Sequence, residues 1–438
     1  MAFLNLDLRA HPPTGTVQMA RCFSGVNMQV MRVLLSDGSG LTARQVATQL
    51  STSGHLVEVL TPDPLALTRF TRHVRRLHRV PPFGAEPFAW LDAALAVYAA
   101  GDFDVLFPTQ EQVAVLSRSI GELRSAGVAT AVPPFAALKK VQDKIAARAT
   151  LLELGLPQPE ATVVTTSSQL AAWDELPVYV KTPIGTATTG VRYVSEPAEM
   201  RALASTWEAE AVFDDSAVLV QAPVAGRLAM IQAVFADGSL VASHANLRVR
   251  QGASGGASHK LSLDLPVIRE HLEILGGRLG WHGALSADAV LTDGGPRYID
   301  INPRLVEPGN AWRAGVDLVA ALLDIACAKT PTVQAPGRAG VATHQRVLAI
   351  LGAAQHEGTR RAVLAELMNR WRHRASYAGS VEELTPLRHD VRTAIPVVAA
   401  SLATLVRPAL WKAFSSGAVT NYALSPAGWR AILLDTSS

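Results

Sequence analysis

The sequence predicts a mixed α/β and α+β architecture: a small parallel unit, then a larger antiparallel region, then a mostly helical C-terminal stretch. Three observations carry this. Residues 29–60 read strand, loop, helix, strand, the order of a parallel sheet with right-handed crossovers. Between 178 and 302, short β-rich runs meet at turn dipeptides such as Asp237-Gly238 and Asp293-Gly294, which supply the positive φ that tight hairpins need. Beyond 340 the apolar residues return at helical spacing, interrupted by prolines.

Length and composition bound the reading. The 438 residues predict two to four domains at roughly 100–200 residues each. With 49% hydrophobic and only 6% aromatic residues, the cores are built from Ala, Val and Leu. A net charge of +3 is too small to argue for nucleic acid. The densest basic cluster, 69–79, interleaves Arg with His, Leu and Val and reads as a solvated helix face. Cys22 and Cys327 are the only cysteines; they form neither a metal spacing nor a disulfide framework, which fits a reducing cytoplasm. Residues 1–28 lack the apolar core of a secretory signal and read as a disordered leader, with Met28 or Met31 as a functional start. The apolar run 394–406, interrupted by Pro396, is too short to span a bilayer. Its basic flanks (Arg388, Arg392, Arg407, Lys412) permit an interfacial helix, but a buried helix is the expectation.

Taken in order, 29–35 is a strand, 41–53 a helix ended by Gly54, 55–60 a second strand and 104–107 another. The loop Gly38–Gly40 follows a strand and opens a helix, where backbone N–H groups can hold an anion; a substrate-facing loop and a plain turn both remain open. Residues 135–154 read as one helix, which places Lys144 inside it, where a lysine alone would be a surface residue. Strands follow at 178–181 and 191–194, flanking the loop IGTATTG (184–190), then a helix at 196–207, and strands at 217–221, 230–235 and 241–250. QGASGGASH (251–259) reads as a mobile Gly/Ser loop, 265–279 as a helix, and 330–340 as a linker.

The hairpin 284–302 concentrates chemistry. A three-residue loop would set Asp288 opposite Asp300; a two-residue loop would shift it by one position. Side chains alternate across a strand, so Asp300 and Asn302 share a face while Ile299 and Ile301 point the other way. Two adjacent carboxylates repel and favour a cation between them, and an all-oxygen set suits Mg²⁺, or Mn²⁺, completed by phosphates. Lys181 ends the strand before Gly185, Thr186, Ala187, Thr188, Thr189 and Gly190, whose small side chains let backbone and hydroxyls approach a phosphate; an ordinary hairpin loop is the alternative. Arg248 and Arg250 are expected on one strand face near Lys260, for a γ-phosphate or a substrate carboxylate, unless they simply line a solvated edge. Arg304, just past Pro303, offers a planar fork for a carboxylate; Glu307 is its candidate partner.

In this order the pieces resemble the ATP-grasp superfamily. The resemblance rests on Asp143-Lys144, VYVKTPIGTATTGV (178–191), VLVQAPVAGR (218–227), the Gly/Ser loop and YIDINPR (298–304). It covers about 135–329. It implies an ATP-grasp fold at 135–330 with a lid at about 156–222, an N-terminal pre-ATP-grasp domain at 29–134 like that of carbamoyl-phosphate-synthase-like members, and a C-terminal helical region at 331–438. It implies that Lys144 and Lys181 contact ATP phosphates, that 185–190 closes over them, and that Gln221, Ala222 and Val224 bracket adenine. It implies Asp288, Asp300 and Asn302 as Mg²⁺ ligands and Arg304 beside the acyl phosphate. The sequence departs from the family pattern at Asp300 and at Gln221, where Glu is usual in both, and in a phosphate loop with fewer Gly and Ser.

The implied reaction is ATP-dependent activation of a small carboxylate, an amino acid or peptide, for attack by an amine. Bicarbonate as the acid, or a scaffold that binds ATP without turnover, are the other readings. The expected partners are the small-molecule acid and amine, with no nucleic acid and no membrane span. Residues 331–438 cap the substrate site, form a homodimer contact or meet another partner; the sequence leaves these open.

Overall fold

The computed structural model describes residues 29–438 apart from 187–188, 215, 385–388 and 436–438, together with the side chains of 415–418. The expected leader 1–28, and Ala187, Thr188 and Arg388, lie outside the described residues. Met31–Ser438 forms one compact unit.

Three sheets follow one another along the chain. The first is parallel and contains β1 (Arg32–Leu35), β2 (Leu56–Thr61), β3 (Arg76–Arg79) and β4 (Val105–Phe107) in the order β3-β2-β1-β4. Val33, Leu35, Val57 and Val59 are buried, and the helix Leu41–Thr52 covers them with Val46, Ala47 and Leu50. Because β1 leads to β2 on one side and pairs with β4 on the other, the carboxyl ends of β1 and β4 flank a topological switch point. The basic cluster 69–79 is not a helix face. It is a short 3-10 turn, Leu67–Arg69, followed by β3 at the sheet edge, where charged side chains discourage pairing with a second sheet.

The second sheet is antiparallel: β5 (Ala161–Val164), β6 (Val178–Lys181), β7 (Val191–Val194) and β8 (Val218–Gln221), in the order β5-β8-β6-β7. The helix Pro197–Ala209 packs Met200, Ala204 and Trp207 onto Val178, Val180, Val218 and Val220. The third sheet has seven strands: β9 (Arg227–Ala236), β10 (Ser239–Gln251), β11 (Ala257–Leu263), β12 (Gly283–Thr292), β13 (Gly295–Asn302), β14 (Ala342–His344) and β15 (Val381–Glu382). Their order is β13-β12-β9-β10-β11-β14-β15. One face buries Ile231, Ala233, Phe235, Leu285 and Ala287 under the helix Pro266–Leu279. The helix Leu318–Ala326 packs Leu318, Leu322 and Ile325 into the core that holds β1 and β4.

Four local expectations change. The helix read over 135–154 is two, Phe135–Gln142 and Lys144–Glu153, broken at Asp143, whose extended backbone (φ −100°, ψ 151°) starts the second. Its carboxylate accepts from the N–H groups of Ile145 and Ala146 at 2.9 and 2.7 Å, the usual reason Asp begins a helix. The Gly/Ser stretch is shorter than expected. It is a tight turn closed by the Gly252 N–H on the Gly256 carbonyl (2.7 Å), and His259 already belongs to β11. The region after 331 is not purely helical, since it adds β14 and β15 to the large sheet. Finally, Ala394–Val406 is a helix, but only Ala400 and Thr404 are buried, while Ile395, Val398, Leu402 and Val406 are exposed. Pro396 falls in its first turn, where the missing N–H has no helical acceptor to lose. No helix among the described residues is long and apolar enough to cross a membrane.

Asp143→Ala is expected to cost about 1 kcal/mol through the lost cap. Urea unfolding would show it as a lower midpoint at constant slope; an unchanged midpoint would contradict the assignment.

Candidate active site

The turn of the β12–β13 hairpin has two residues, Asp293 and Gly294, between the paired Thr292 and Gly295. That loop alone would offset the two acids. A bulge corrects the offset: the ladder runs Ala289↔Tyr298 and then Asp288↔Asp300, leaving Ile299 without a partner on β12. Such an extra residue bends the strand and re-aims the side chains beyond it. The bulge also alters the expected apolar face. Tyr298 and Ile301 enter the core, whereas Ile299 is only half-buried and its carbonyl turns to a cation.

That cation is Lys181. Its ammonium donates to the Ile299 carbonyl at 2.8 Å, although the side chain is almost fully buried at the end of β6. Burial pulls its pKa down to about 8, partly offset by Asp300 and Asp288 and reinforced by Lys144. Lys144, fixed at the first turn by the Asp143 cap, donates to the Gly185 carbonyl at 3.0 Å and stands 4.0 Å from the Asp300 carboxylate. Burial first, and then the facing Asp300, raise the Asp288 carboxyl to about 7 against Arg248, Lys181 and Arg304, which act in the opposite direction. Two carboxylates, an amide and four cationic side chains thus share one electrostatic patch, in which the cations outnumber the carboxylates.

The loop after Lys181 is folded onto this patch. The Thr186 N–H donates to the Thr189 hydroxyl at 3.0 Å, which donates back to the Thr186 carbonyl at 2.6 Å. Gly190 adopts φ 77°, and a Cβ there would sit 2.1 Å from the Thr182 hydroxyl, so only glycine closes this turn. The Thr186 hydroxyl reaches Glu111 at 3.3 Å.

Glu111, in the loop after β4, was not singled out from the sequence. It accepts from Arg304 Nε at 2.9 Å and from Gln142 at 3.4 Å as well as from Thr186. Burial alone would lower the Arg304 pKa, but the Glu111 carboxylate, together with Tyr422 and Asp300, more than offsets it and raises it. Arg304 also reaches the Asn302 amide oxygen at 3.5 Å. Only the three-dimensional fold brings Glu111 to Arg304, so no sequence spacing announces the pair. Glu307 is not the partner of Arg304. It accepts from the fully buried Lys260 at 2.6 Å, which also donates to Glu383 at 2.8 Å.

The two strand arginines part company. Arg248 donates to the Gly255 carbonyl at 2.9 Å and feels the charge of Asp288. The β10–β11 register shifts between Arg248 and Arg250, so the expected shared face is lost. Arg250 instead forms a two-pronged pair with Glu366, at 2.9 and 2.6 Å, and Tyr377 donates to the same carboxylate. Gln221 is buried at the end of β8. The Ala222 N–H is taken by the Glu160 carbonyl at 2.9 Å, and Val224 follows in the chain beyond β8. No group of three or more His, Cys, Asp or Glu side chains able to hold a metal occurs among the described residues. The expected donor set of two carboxylates and an amide is of a kind that suits a hard cation keeping other oxygen ligands.

No protein-family description matches the chain, and no curated protein does. Solved structures do. It is similar to a biotin carboxylase–nucleotide complex from Campylobacter jejuni (TM-score 0.57, 16% identity, 72% of this chain and 75% of that one). It is also similar to N5-carboxyaminoimidazole ribonucleotide synthetase from Thermus thermophilus (TM-score 0.52, 19% identity, 71% and 82% covered). A third is an L-amino acid ligase from Bacillus licheniformis (TM-score 0.51, 15% identity, 69% and 75% covered). The likeness at these identities is one of fold: the chain has the ATP-grasp fold.

Glu111→Ala leaves the Arg304 charge buried and half-paired, and is expected to cost about 3 kcal/mol in denaturant unfolding; a loss below about 1 kcal/mol would show that the pair is not structural. Asp288 supplies a pH test. Its folded pKa lies above the unfolded value, so its contribution to metal-free stability is complete at low pH and is lost as pH rises through about 7. A cation bound at Asp288 would displace that proton. The rise in melting temperature caused by Mg²⁺ is expected to be small at pH 6 and larger at pH 8, and flat with pH in Asp288→Asn. A Mg²⁺ effect independent of pH would contradict the assignment.

Proposed function

We propose that this chain is an ATP-dependent ligase that converts a small carboxylate into an acyl phosphate and joins it to an amine, releasing ADP and phosphate. The observation that carries the reading is the Asp288–Asp300 pair, facing at zero offset and ringed by Lys144, Lys181, Arg248 and Arg304. Asp288, Asp300 and Asn302 are the proposed Mg²⁺ donors, and bound Mg²⁺ would supply charge neutralisation of the triphosphate. Lys144 and Lys181 hold phosphate oxygens, and the residues 185–190 cover them. Gln221, the Ala222 carbonyl and Val224 meet the adenine at the end of β8.

Arg304 orients the acid. Its Nε and Nη2 are held by Glu111 and Asn302, and neither contact uses Nη1, which presents a directed donor to a carboxylate oxygen. One oxygen of the acid attacks the γ-phosphorus, the bond to the β-phosphate oxygen breaks, and ADP leaves. The amine nitrogen then attacks the acyl carbon, the carbon–oxygen bond to phosphate breaks, and the amine gives up a proton. The side chains need no covalent part in this. They position, balance charge and exclude water. Arg250, engaged by Glu366, is left out of the proposed machinery and acts as a tie between β10 and the helix Arg360–Trp371.

Bicarbonate as the acid is a second reading. It is favoured by the fold neighbour whose structure holds MgADP and bicarbonate, the biotin carboxylase domain of Hydrogenobacter thermophilus 2-oxoglutarate carboxylase. Phosphate release with bicarbonate alone, set against release with pairs of amino acids, separates the two.

Asp300→Ala is expected to lower acid-dependent phosphate release by at least about 100-fold while the variant stays folded by circular dichroism. Release within a few-fold of the wild-type rate would refute the metal role.

A further inference from the structure

A second cluster of buried polar side chains adjoins this site and is not used by the chemistry above. It lies at the switch point of the parallel sheet, outside the carboxyl ends of β1 and β4, where open α/β sheets bind ligands. Asp37 follows β1, Gln110 and Glu111 follow β4, and Tyr422 comes from the far C-terminal region. The sequence suggested an anion at the N–H groups of the loop Gly38–Gly40. The structure removes that option, because Asp37 Oδ2 already accepts from the N–H groups of Ser39 and Gly40 at 2.8 and 3.3 Å. A carboxylate occupies the place an anion would take.

The other oxygen, Asp37 Oδ1, is buried without a hydrogen-bond partner among the described residues, in a side chain only 1% exposed. Gln110 Oε1 is likewise buried and unpartnered. Both side chains lie against Gly40. An ideal Cβ on Gly40 would fall 2.6 Å from Gln110 Nε2 and 3.5 Å from the Tyr422 ring. The Tyr422 hydroxyl has no hydrogen-bond partner among the described residues, and it feels the charges of Arg304, Asp37, Glu111 and Glu307. Asn421 holds the segment in place by donating to the Ser39 hydroxyl at 3.1 Å. Of the three carboxylates around Tyr422, Glu111 is committed to Arg304 and Glu307 to Lys260. Asp37 has no ion-pair partner among the described residues, and a buried carboxylate oxygen left unpaired is costly.

We propose that Asp37, Gln110 and Tyr422 form the subsite for the amine substrate, binding it as a primary ammonium before it attacks. This rests on the ligase reading for its role, though not for its existence. An ammonium brings three donors and a positive charge to a set of unpartnered acceptors. Deprotonation of the bound ammonium to the attacking amine would return one proton to Asp37 or to solvent. The subsite also gives the C-terminal region a part in selecting the substrate, since Tyr422 lines it beside Gly40, at the start of the helix Leu41–Thr52.

The test titrates the full-length protein by calorimetry with L-alaninamide, ethanolamine and putrescine, and with lactamide as the uncharged counterpart of alaninamide. At least one ammonium probe is expected to bind while lactamide does not, and Asp37→Asn, which keeps an oxygen for the loop N–H groups, is expected to weaken binding at least tenfold. Tyr422→Phe should weaken it several-fold, with ATP affinity unmoved in both. Should Asp37→Asn fail to fold, Gln110→Met carries the same expectation. Wild-type protein that binds no ammonium probe, or a folded variant that binds as tightly as wild type, overturns the proposal. Absence of acid-dependent phosphate release with intact ammonium binding would instead count against the ligase reading alone.

Discussion

Two carboxylates held face to face on neighbouring strands are the constraint around which this molecule is arranged. Left alone, Asp288 and Asp300 repel, and burial makes the repulsion worse. The fold answers with positive charge drawn from separate parts of the chain: Lys144 from a helix start, Lys181 from the end of β6, Arg248 from β10 and Arg304 from the loop after β13. Each is held by a specific device: the Asp143 cap, the bulged Ile299 carbonyl, the Gly255 carbonyl and the Glu111 carboxylate.

The bulge connects local geometry to electrostatics. Without it, a two-residue turn would offset the acids, and Asp288 would stand across from Ile299. With it, the acids face each other, Tyr298 takes the core position expected of Ile299, and a carbonyl is released to anchor a buried lysine. Glu111 plays the corresponding role between the first sheet and the rest. Through Thr186 it touches the loop over the patch, and through Arg304 it touches the residues beside it. The same carboxylate therefore senses both the covering loop and the base of the site.

Much of this was legible in the sequence where the signal is local. The Asp-Gly turns, the strand alternation and the order of short motifs give the ATP-grasp fold, and the hairpin acids stand out because Asp300 and Asn302 recur at period two opposite a strand that carries Asp288. What sequence could not supply was long-range. Glu111 meets Arg304 across nearly half of the chain, Lys260 draws Glu307 away from Arg304, and Glu366 engages Arg250 from a helix more than a hundred residues on. The break at Asp143 was legible in principle, since an Asp just before a new apolar period is a cap signal, but continuous helical spacing on both sides masked it. The strands β14 and β15 are too short to carry a period of their own, and they form because the edge of β11 is there to pair with.

A structure of the protein with Mg²⁺ and a non-hydrolysable ATP analogue measures the central claim most directly. The account predicts a cation about 2.0–2.1 Å from oxygens of Asp288 and Asp300, with the triphosphate reaching Lys144 and Lys181 beneath the residues at 185–190. A cation or nucleotide bound away from that hairpin, with the two carboxylates still facing each other unfilled, would contradict it.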